Sequence, residues 1–529
     1  MNEIKSLLRW DEPKLFCIHL PAAYETAVFP PHFSKMNTLS LLSSGLASHF
    51  SLLPDQLLPP VSVNLNLSLA ICQSHSSNDS TVKSDDAFAS LEGFMKARGA
   101  EFPKMELVTY GEYDEFRGVQ ASHHIKENDV IMSIPEHFLL TEKVAMDSEV
   151  GKRVQAALPE IYTNDEEHLF ISLFLLQERA KGPMSAWSKY FPTLPTDYTN
   201  MDPHFGEEEV KFLRESYLYE DVYSSDVEEL KESYKAVCDV MSDFCEQHSY
   251  DDYVWARLSV RTRLFSVDID GVLRCAMVPY ADMFNHEYDN VASWRFDDAT
   301  RRFQIYAVKP IAPGETIHIS YGEESNRKFL INYGFTFPNN PDGSAEVVVA
   351  LKHGDSPDVK AKRVAKSGYE ATVDRAISFQ VPSKAGQEDF YAPLHLARVA
   401  VALPDELELL AAKGASIVSL RCEKAAWLLY QESVLDALRV TPSTKEADEA
   451  LLANESLSWN VRNIIRVRHS EREAALKIMG LIDLFLTLVE SSQEDFNLLR
   501  ANPKFDEVQD YVQQVAEAHR SEFSKSLLR

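Results

Sequence analysis

Asp282, Asn285 and His286 stand within five residues of one another in VPYADMFNHEYDN, residues 278–290, just after an apolar run that closes on Pro279. Polar side chains at the end of a hydrophobic segment are costly unless each finds a partner. Asp282 and His286 are four apart, so on a helix they would share one face, as metal ligands do. No second histidine or carboxylate at matching spacing completes such a ligand set, and Pro279 opens the segment. The plainer reading is an Asx-type turn, with the Asp and Asn side chains satisfying nearby backbone amides. A third reading, a ligand pocket, requires a second group of residues.

That group is GETIHISYGEESNRKFLINYGFTF, residues 314–337. Its first part reads as a strand, with Ile317, Ile319 and Tyr321 on one face and Thr316, His318 and Ser320 on the other. His318 then reads as an ordinary face residue. Tyr321 ends the strand at Gly322, where its phenol can point into a cleft. Tyr333 lies before Gly334 and Phe335, so two tyrosines flanking a turn, with a phenylalanine beside them, could wall an aromatic channel.

The elements that must hold these residues are short strands broken by glycine and proline, with a helical block between them. SLEGFMKARGAEF reads as a short helix, followed by strand-like pieces at LVTYG and VIMSIP. HLFISLFLLQER carries a continuous apolar face, and EEEVKFL and DVEELKESYKAVCDVMSDF show helical apolar spacing whose charges read as solvated faces. VLRCAMVP, ASWRFDD, RFQIYAV and TIHISYG return to strand character. After PNNPDG one last strand, VVVALKHG, precedes long amphipathic helices that run from about Tyr391 to the end. The pattern predicts an α+β domain over 86–345 with a helical insert at about 165–255, then an all-α domain over 346–529.

Residues 1–85 differ in character. There is no lysine or arginine from Met36 to Val82, and VSVNLNLSL alternates as a short strand would. This stretch reads as a disordered or a targeting extension; targeting sequences usually carry basic residues. A net charge of −28 excludes a general nucleic-acid binder, which needs a basic face to neutralise phosphates. The six cysteines form no C-x-x-C pair, so neither a disulfide framework nor a cysteine-rich zinc site is expected, and a reducing compartment follows. No uncharged apolar run reaches the ~18 residues of a membrane span.

The paired motifs Pro279-x-x-Asp282-x-x-Asn285-His286 and Gly314-Glu315…Ser320-Tyr321-Gly322…Ser325-Asn326…Tyr333-Gly334-Phe335 resemble the SET-domain methyltransferases. Within them, they resemble the group containing the Rubisco large-subunit lysine methyltransferase and the actin-histidine methyltransferase. Further pieces agree in order: Glu115-Phe116-Arg117-Gly118-Val119, Leu176-Gln177-Glu178-Arg179…Ser185-Ala186-Trp187-Ser188-Lys189-Tyr190…Leu194-Pro195, and Trp255-Ala256…Arg261-Thr262-Arg263-Leu264-Phe265. Arg466-Val467-Arg468…Glu471 resembles part of that group's helical substrate-binding domain, so the resemblance spans about 88–520. The chain departs from it in lacking the first glycine of the usual E-G-x-G loop at Glu115–Gly118. It also has Thr262 and Glu287 where serine is frequent.

The resemblance implies small curved sheets with a knot-like closure near Asn285-His286, and S-adenosyl-L-methionine as methyl donor. By carry-over, Glu115, Phe116 and Arg117 would line the adenosyl side, and Asn285 and His286 would hold the cofactor with Asp282 bracing their turn. Arg263 would approach its carboxylate, and Tyr333, Gly334 and Phe335 would complete the pocket. Tyr321 would be the catalytic tyrosine, orienting the incoming nitrogen. A lysine nucleophile must be neutral, while free lysine titrates near ~10.4; a sulfonium charge and an apolar channel both lower that value. Phe265, Tyr321 and Tyr333 would contact the substrate side chain. The actin-histidine enzyme carries asparagine where Phe265 stands, and an apolar ring offers no hydrogen bond to an imidazole. The expected activity is therefore protein-lysine N-methylation of a non-histone protein; the alternatives are a protein-histidine methyltransferase and a catalytically silent scaffold. A protein substrate, no nucleic acid, no membrane and a monomer are expected. The expected compartment is cytoplasm or nucleus, or a plastid if the N-terminal extension is a transit sequence.

Overall fold

A computed structural model describes residues 81–527 except 111–115, 158–166, 220–222, 224, 352–356, 368–375, 411–416, 442 and 501–502. Ala70–Arg529 forms one compact unit. The strand expected at 61–69 and nearly all of the N-terminal extension lie outside the described residues, as does Glu115. A helix, α1 (Thr81–Lys96), opens the described chain.

Among the described residues the strands form four small antiparallel sheets. β1 (Met105–Tyr110) pairs with β2 (Phe116–Ala121), with Met105 opposite Ala121. β3 (Val130–Pro135), β8 (Arg302–Ala307) and β7 (Ala292–Asp297) make a second sheet in the order β3-β8-β7. β4 (Leu140–Thr141), β6 (Val272–Met277) and β5 (Leu264–Ile269) make a third in the order β4-β6-β5. Asp270 and Gly271, both at positive φ, close the β5–β6 hairpin, the conformation a two-residue turn requires. β9 (Ser344–Ala350) and β10 (Ala376–Pro382) form the last pair.

Between β4 and β5 the chain is helical. α2 (Glu142–Asp147) begins it, so helix starts well before residue 165. α3 (Glu167–Ala180) is buried along most of its length, α4 (Glu207–Leu213) and α5 (Ser225–Val240) follow, and α6 (Tyr250–Arg261) ends it. Cys238 and Cys245 are joined by a disulfide at the end of α5, a pairing that the cysteine spacing does not announce. Ser249 caps α6: its hydroxyl accepts from the Asp252 amide while the Asp252 carboxylate accepts from the Ser249 amide. Thr262 closes α6 by donating its hydroxyl to the Leu258 carbonyl at 2.9 Å. The helix therefore delivers Arg263 at a fixed point just ahead of β5.

α7 (Asn326–Tyr333) follows the 314–322 segment, with Ser325 as its N-cap and Gly334 at φ +74° as its C-cap. Beyond β10 follow α8 (Ala392–Val401), α9 (Leu420–Val440), α10 (Lys445–Leu452), α11 (Trp459–Glu490) and α12 (Gln509–Leu527); all but α10, which packs on α11, enclose a core built on Trp427, Tyr430, Phe390 and Phe485. Within it Arg398 pairs with Glu423 at 2.7 Å, and Glu423 also accepts from the Tyr511 hydroxyl. No helix among the described residues is long and apolar enough to cross a membrane.

The helical region and the small sheets share buried polar contacts. Arg327 of α7 meets Glu346 of β9 at 2.8 Å and Glu471 of α11 at 3.4 Å. Arg468 of α11, fully buried, pairs with Asp448 of α10 and with Glu215 after α4. Buried charges persist only where such partners are present. These pairs give Arg468 and Glu471 of the C-terminal motif a structural task.

Candidate active site

Three segments meet at the site. Val119 of β2 accepts from the Ile317 amide and Ala121 donates to the Glu315 carbonyl, so 315–317 runs beside β2. On its other side Ile319 donates to the Asn285 carbonyl and accepts from the Glu287 amide, a parallel bridge centred on His286 and Ile319. The segment read as a strand from TIHISYG thus forms isolated bridges instead of a ladder. It divides its hydrogen bonds between an antiparallel and a parallel partner, and neither pairing is long.

The polar side chains of the turn find distant partners, not the adjacent amides an Asx turn would use. Asp282 Oδ2 accepts from the Tyr190 hydroxyl at 2.7 Å and from Arg263 Nη1 at 3.1 Å, and its carbonyl accepts from the same Arg263 nitrogen at 3.3 Å. The Arg263 and Asp282 side chains are 2% and 1% exposed, a buried pair closed from bulk water. Burial raises the Asp282 pKa, partly offset by Arg263 and Tyr190. Asp282 Oδ1 is buried without a partner. Asn285 Nδ2 donates to the Arg117 carbonyl at 2.8 Å, which ties the turn to β2. The Arg117 guanidinium lies 4.0 Å over the Phe88 ring of α1. Among the described residues no group of three or more His, Cys, Asp or Glu is arranged to hold a metal ion.

His286 is buried, and its Nδ1 accepts from the Tyr321 amide at 2.9 Å. Burial, reinforced by His318, lowers its pKa to about 4, so the ring is neutral and its proton sits on Nε2. That nitrogen is buried without a partner. Tyr321 donates its hydroxyl to the Phe284 carbonyl at 2.8 Å, which aims the phenol at the residue preceding Asn285. Its ring centroid lies 5.3 Å from His286 and 4.8 Å from Tyr333.

Tyr333 and Phe335 extend this enclosure, with ring centroids 5.9 Å apart and both packed on Phe329. Gly334 between them is in the left-handed region, and a Cβ there would lie 2.3 Å from Asn200 Nδ2. Glycine is therefore required on both conformational and steric grounds. Phe265, 7% exposed, packs edge-on against Trp294 and Phe303, at the junction of β5 with the β7–β8 sheet. The backbone of Phe116 lies in β2.

The remaining motifs converge on the same centre. Ser185 donates to Glu178 at 2.7 Å, and the Trp187 indole donates to the Phe138 carbonyl, which sets the segment carrying Tyr190. Trp255 donates to the Pro195 carbonyl at 2.8 Å, linking α6 to that segment. Tyr190 as the partner of Asp282 and Tyr280 at φ +73°, donating to Glu92 at 2.6 Å, were not singled out from the sequence. Only the spacing of the S-A-W-S-K-Y motif hinted at the former.

This arrangement is that of a known fold. The chain superposes on the SET domain of LSMT bound to lysine and AdoHcy with a TM-score of 0.61 at 20% identity, over 81% of this chain and 98% of that one. Rubisco LSMT bound to AdoMet matches with a TM-score of 0.59 at 21% identity, over 81% and 99%. Residues 117–322 match the SET domain family, and residues 379–474 match the Rubisco LSMT substrate-binding family. The actin-histidine N-methyltransferases of Homo sapiens and Mus musculus are each 26% identical over 419 residues, 74% of this chain and 67% of theirs. The chain thus carries a SET domain over 117–322, the domain of a class of protein methyltransferases, and a Rubisco LSMT substrate-binding domain over 379–474.

Proposed function

We propose that this protein methylates a lysine side-chain nitrogen of a non-histone protein, with Tyr321 as its catalytic residue. The observation that carries the reading is the enclosure of Tyr321: its hydroxyl is bonded to the Phe284 carbonyl and its ring lies between His286 and Tyr333. The methyl donor of this class, S-adenosyl-L-methionine, supplies an electrophilic methyl on a sulfonium when bound. The residues present fit it: Asp282 Oδ1 and His286 Nε2 are a buried acceptor and a buried donor without partners beside the Asn285-His286 turn. Asn285 and His286 would hold it, with Arg117 on its adenosyl side. Arg263, engaged with Asp282, braces that floor.

With its hydroxyl proton directed at a carbonyl, Tyr321 would act toward the incoming amine as an acceptor of an N–H, orienting the nitrogen lone pair. Tyr321, Tyr333 and Phe335 offer the nitrogen a largely apolar path, which disfavours the ammonium and lowers the lysine pKa from ~10.4 toward neutrality. Phe265 supports lysine over histidine through its sequence position after Arg263-Leu264, where the resemblance puts asparagine in the actin-histidine enzyme; its ring itself packs on Trp294 and Phe303. The protein-histidine reading draws on the actin-histidine N-methyltransferases to which the chain is similar. A protein substrate suits the domain at 379–474.

The deciding experiment is acid hydrolysis of extract proteins labelled by this enzyme with methyl-labelled S-adenosylmethionine. Labelled methyl-lysine is expected. Labelled methylhistidine would overturn the lysine reading, and no label with no cofactor binding in calorimetry would leave a silent scaffold.

A further inference from the structure

We propose that Asn463, in the helical domain, is a positioning residue for the aromatic wall of the transfer channel, an inference that rests on the function proposed above. Asn463 lies in the first turns of α11 and is fully buried. Both ends of its amide serve the segment that follows Tyr333. Its Oδ1 accepts from the Thr336 hydroxyl at 2.7 Å, and its Nδ2 points at the Gly334 carbonyl at 3.5 Å. Thr336 is also fully buried. An unsatisfied amide at this depth would be costly, so the pairing is specific in register. A leucine would fill the same space without fixing which residue of the wall it faces.

Two more donors converge on that carbonyl. The Trp459 indole, one helical turn earlier on α11, reaches Gly334 O at 3.3 Å, and Asn200 Nδ2 reaches it at 3.4 Å. Asn460, beside Trp459, donates to the Thr199 carbonyl at 2.9 Å. The start of α11 thus grips the wall and the strip of insert lying over it. Tyr333 ends α7, Gly334 turns the chain through a left-handed conformation, and Phe335 leaves in the direction that turn dictates. Fixing Gly334 and Thr336 fixes the Tyr333 ring at 4.8 Å from Tyr321 and the Phe335 ring behind it. The helical domain therefore contributes to the channel itself. It sets how much room a lysine nitrogen, with or without methyl groups already attached, has beside Tyr321.

The test uses the full chain and two variants, Asn463→Leu and Thr336→Val, which remove the same short bond from opposite sides. Four quantities are read: urea stability, S-adenosylhomocysteine affinity by calorimetry, methylation rate on extract proteins, and the ratio of mono-, di- and trimethyl-lysine in hydrolysates. Both variants are expected to bind S-adenosylhomocysteine within about twofold of the parent while the rate falls about tenfold and the methylation ratio shifts. The double variant is expected to lose little more than either single one, because one bond is shared. Crystal structures supply a readout free of turnover, with the Tyr333–Tyr321 separation expected to widen. Unchanged rates, ratio and ring separation in a folded variant would overturn the proposal. So would a loss of cofactor affinity in step with the rate, which marks general damage. If Asn463→Leu does not fold, Thr336→Val alone carries the same expectations. Methylhistidine from the parent enzyme would sink the lysine assignment, and the rate, affinity and ring separation would still judge Asn463.

Discussion

The turn at 282–287 and the wall at 333–337 both meet the ring of Tyr321, yet different parts of the chain secure them. The turn is held from within the region matched to the SET domain, by Tyr190 and Arg263 on Asp282, by Arg117 on Asn285 and by Ile319 on the backbone. The wall is held mainly from outside it, by Trp459 and Asn463 of α11 acting on Gly334 and Thr336, with Asn200 of the insert as a third donor to the Gly334 carbonyl. One side of the centre is therefore fixed by the small sheets and their insert, and the other answers to the helical domain. Damage to the turn should register first in cofactor affinity and stability, and damage to the wall in turnover and product.

The largest expected break is at the buried pair. Arg263→Met leaves the Asp282 carboxylate without its cation and should cost about 3–5 kcal/mol in urea unfolding, together with weaker S-adenosylhomocysteine binding. A loss of turnover with affinity and stability intact would instead place Arg263 with the wall. The turn should also carry a pH signature through His286. Its pKa is about 4 in the folded chain against 6.5 for a free imidazole, so between those values the unfolded chain binds a proton that the folded chain refuses. Stability is then full above pH 6.5 and declines as pH falls, by about 3 kcal/mol for this ring alone. The slope should shrink in His286→Asn without vanishing, because burial lowers the His318 pKa in the same direction. An unchanged slope would show that His286 titrates normally.

On the wall, Gly334→Ala forces an alanine to φ +74° and its methyl against Asn200. A cost of about 2 kcal/mol is expected, with turnover reduced more than cofactor affinity. Equal losses of both would remove the distinction between the two sides. Smallest is Tyr190→Phe, which deletes one hydrogen bond to Asp282 and should cost about 1 kcal/mol by thermal unfolding. A much larger loss would make Tyr190 as important to the turn as Arg263.

Much of this was legible in the sequence because the motifs are local. Asp282, Asn285 and His286 announce themselves by density, and Tyr321 and Tyr333 by the glycines that follow them. Strands such as VIMSIP and RFQIYAV appear where the composition places them, since their β-branched and aromatic residues suit a half-buried sheet. What was hidden is polar and long-range. Tyr190 lies 92 positions before Asp282, and Thr336 lies 127 positions before Asn463. Hydrophobic periodicity records which face is buried but not which hydroxyl meets which carboxylate. The 314–321 segment misled for a related reason: its alternation is real, but its pairing is divided between two neighbours. The Cys238–Cys245 disulfide was equally silent, since a spacing of seven residues has no motif.

The measurement that bears most directly on the central claim compares the parent enzyme with Tyr321→Phe on extract proteins and methyl-labelled S-adenosylmethionine. The variant keeps the ring against His286 and Tyr333 and loses only the hydroxyl. Labelled methyl-lysine should fall by about 100-fold or more while S-adenosylhomocysteine still binds. Equal labelling by both proteins would contradict the role assigned to Tyr321.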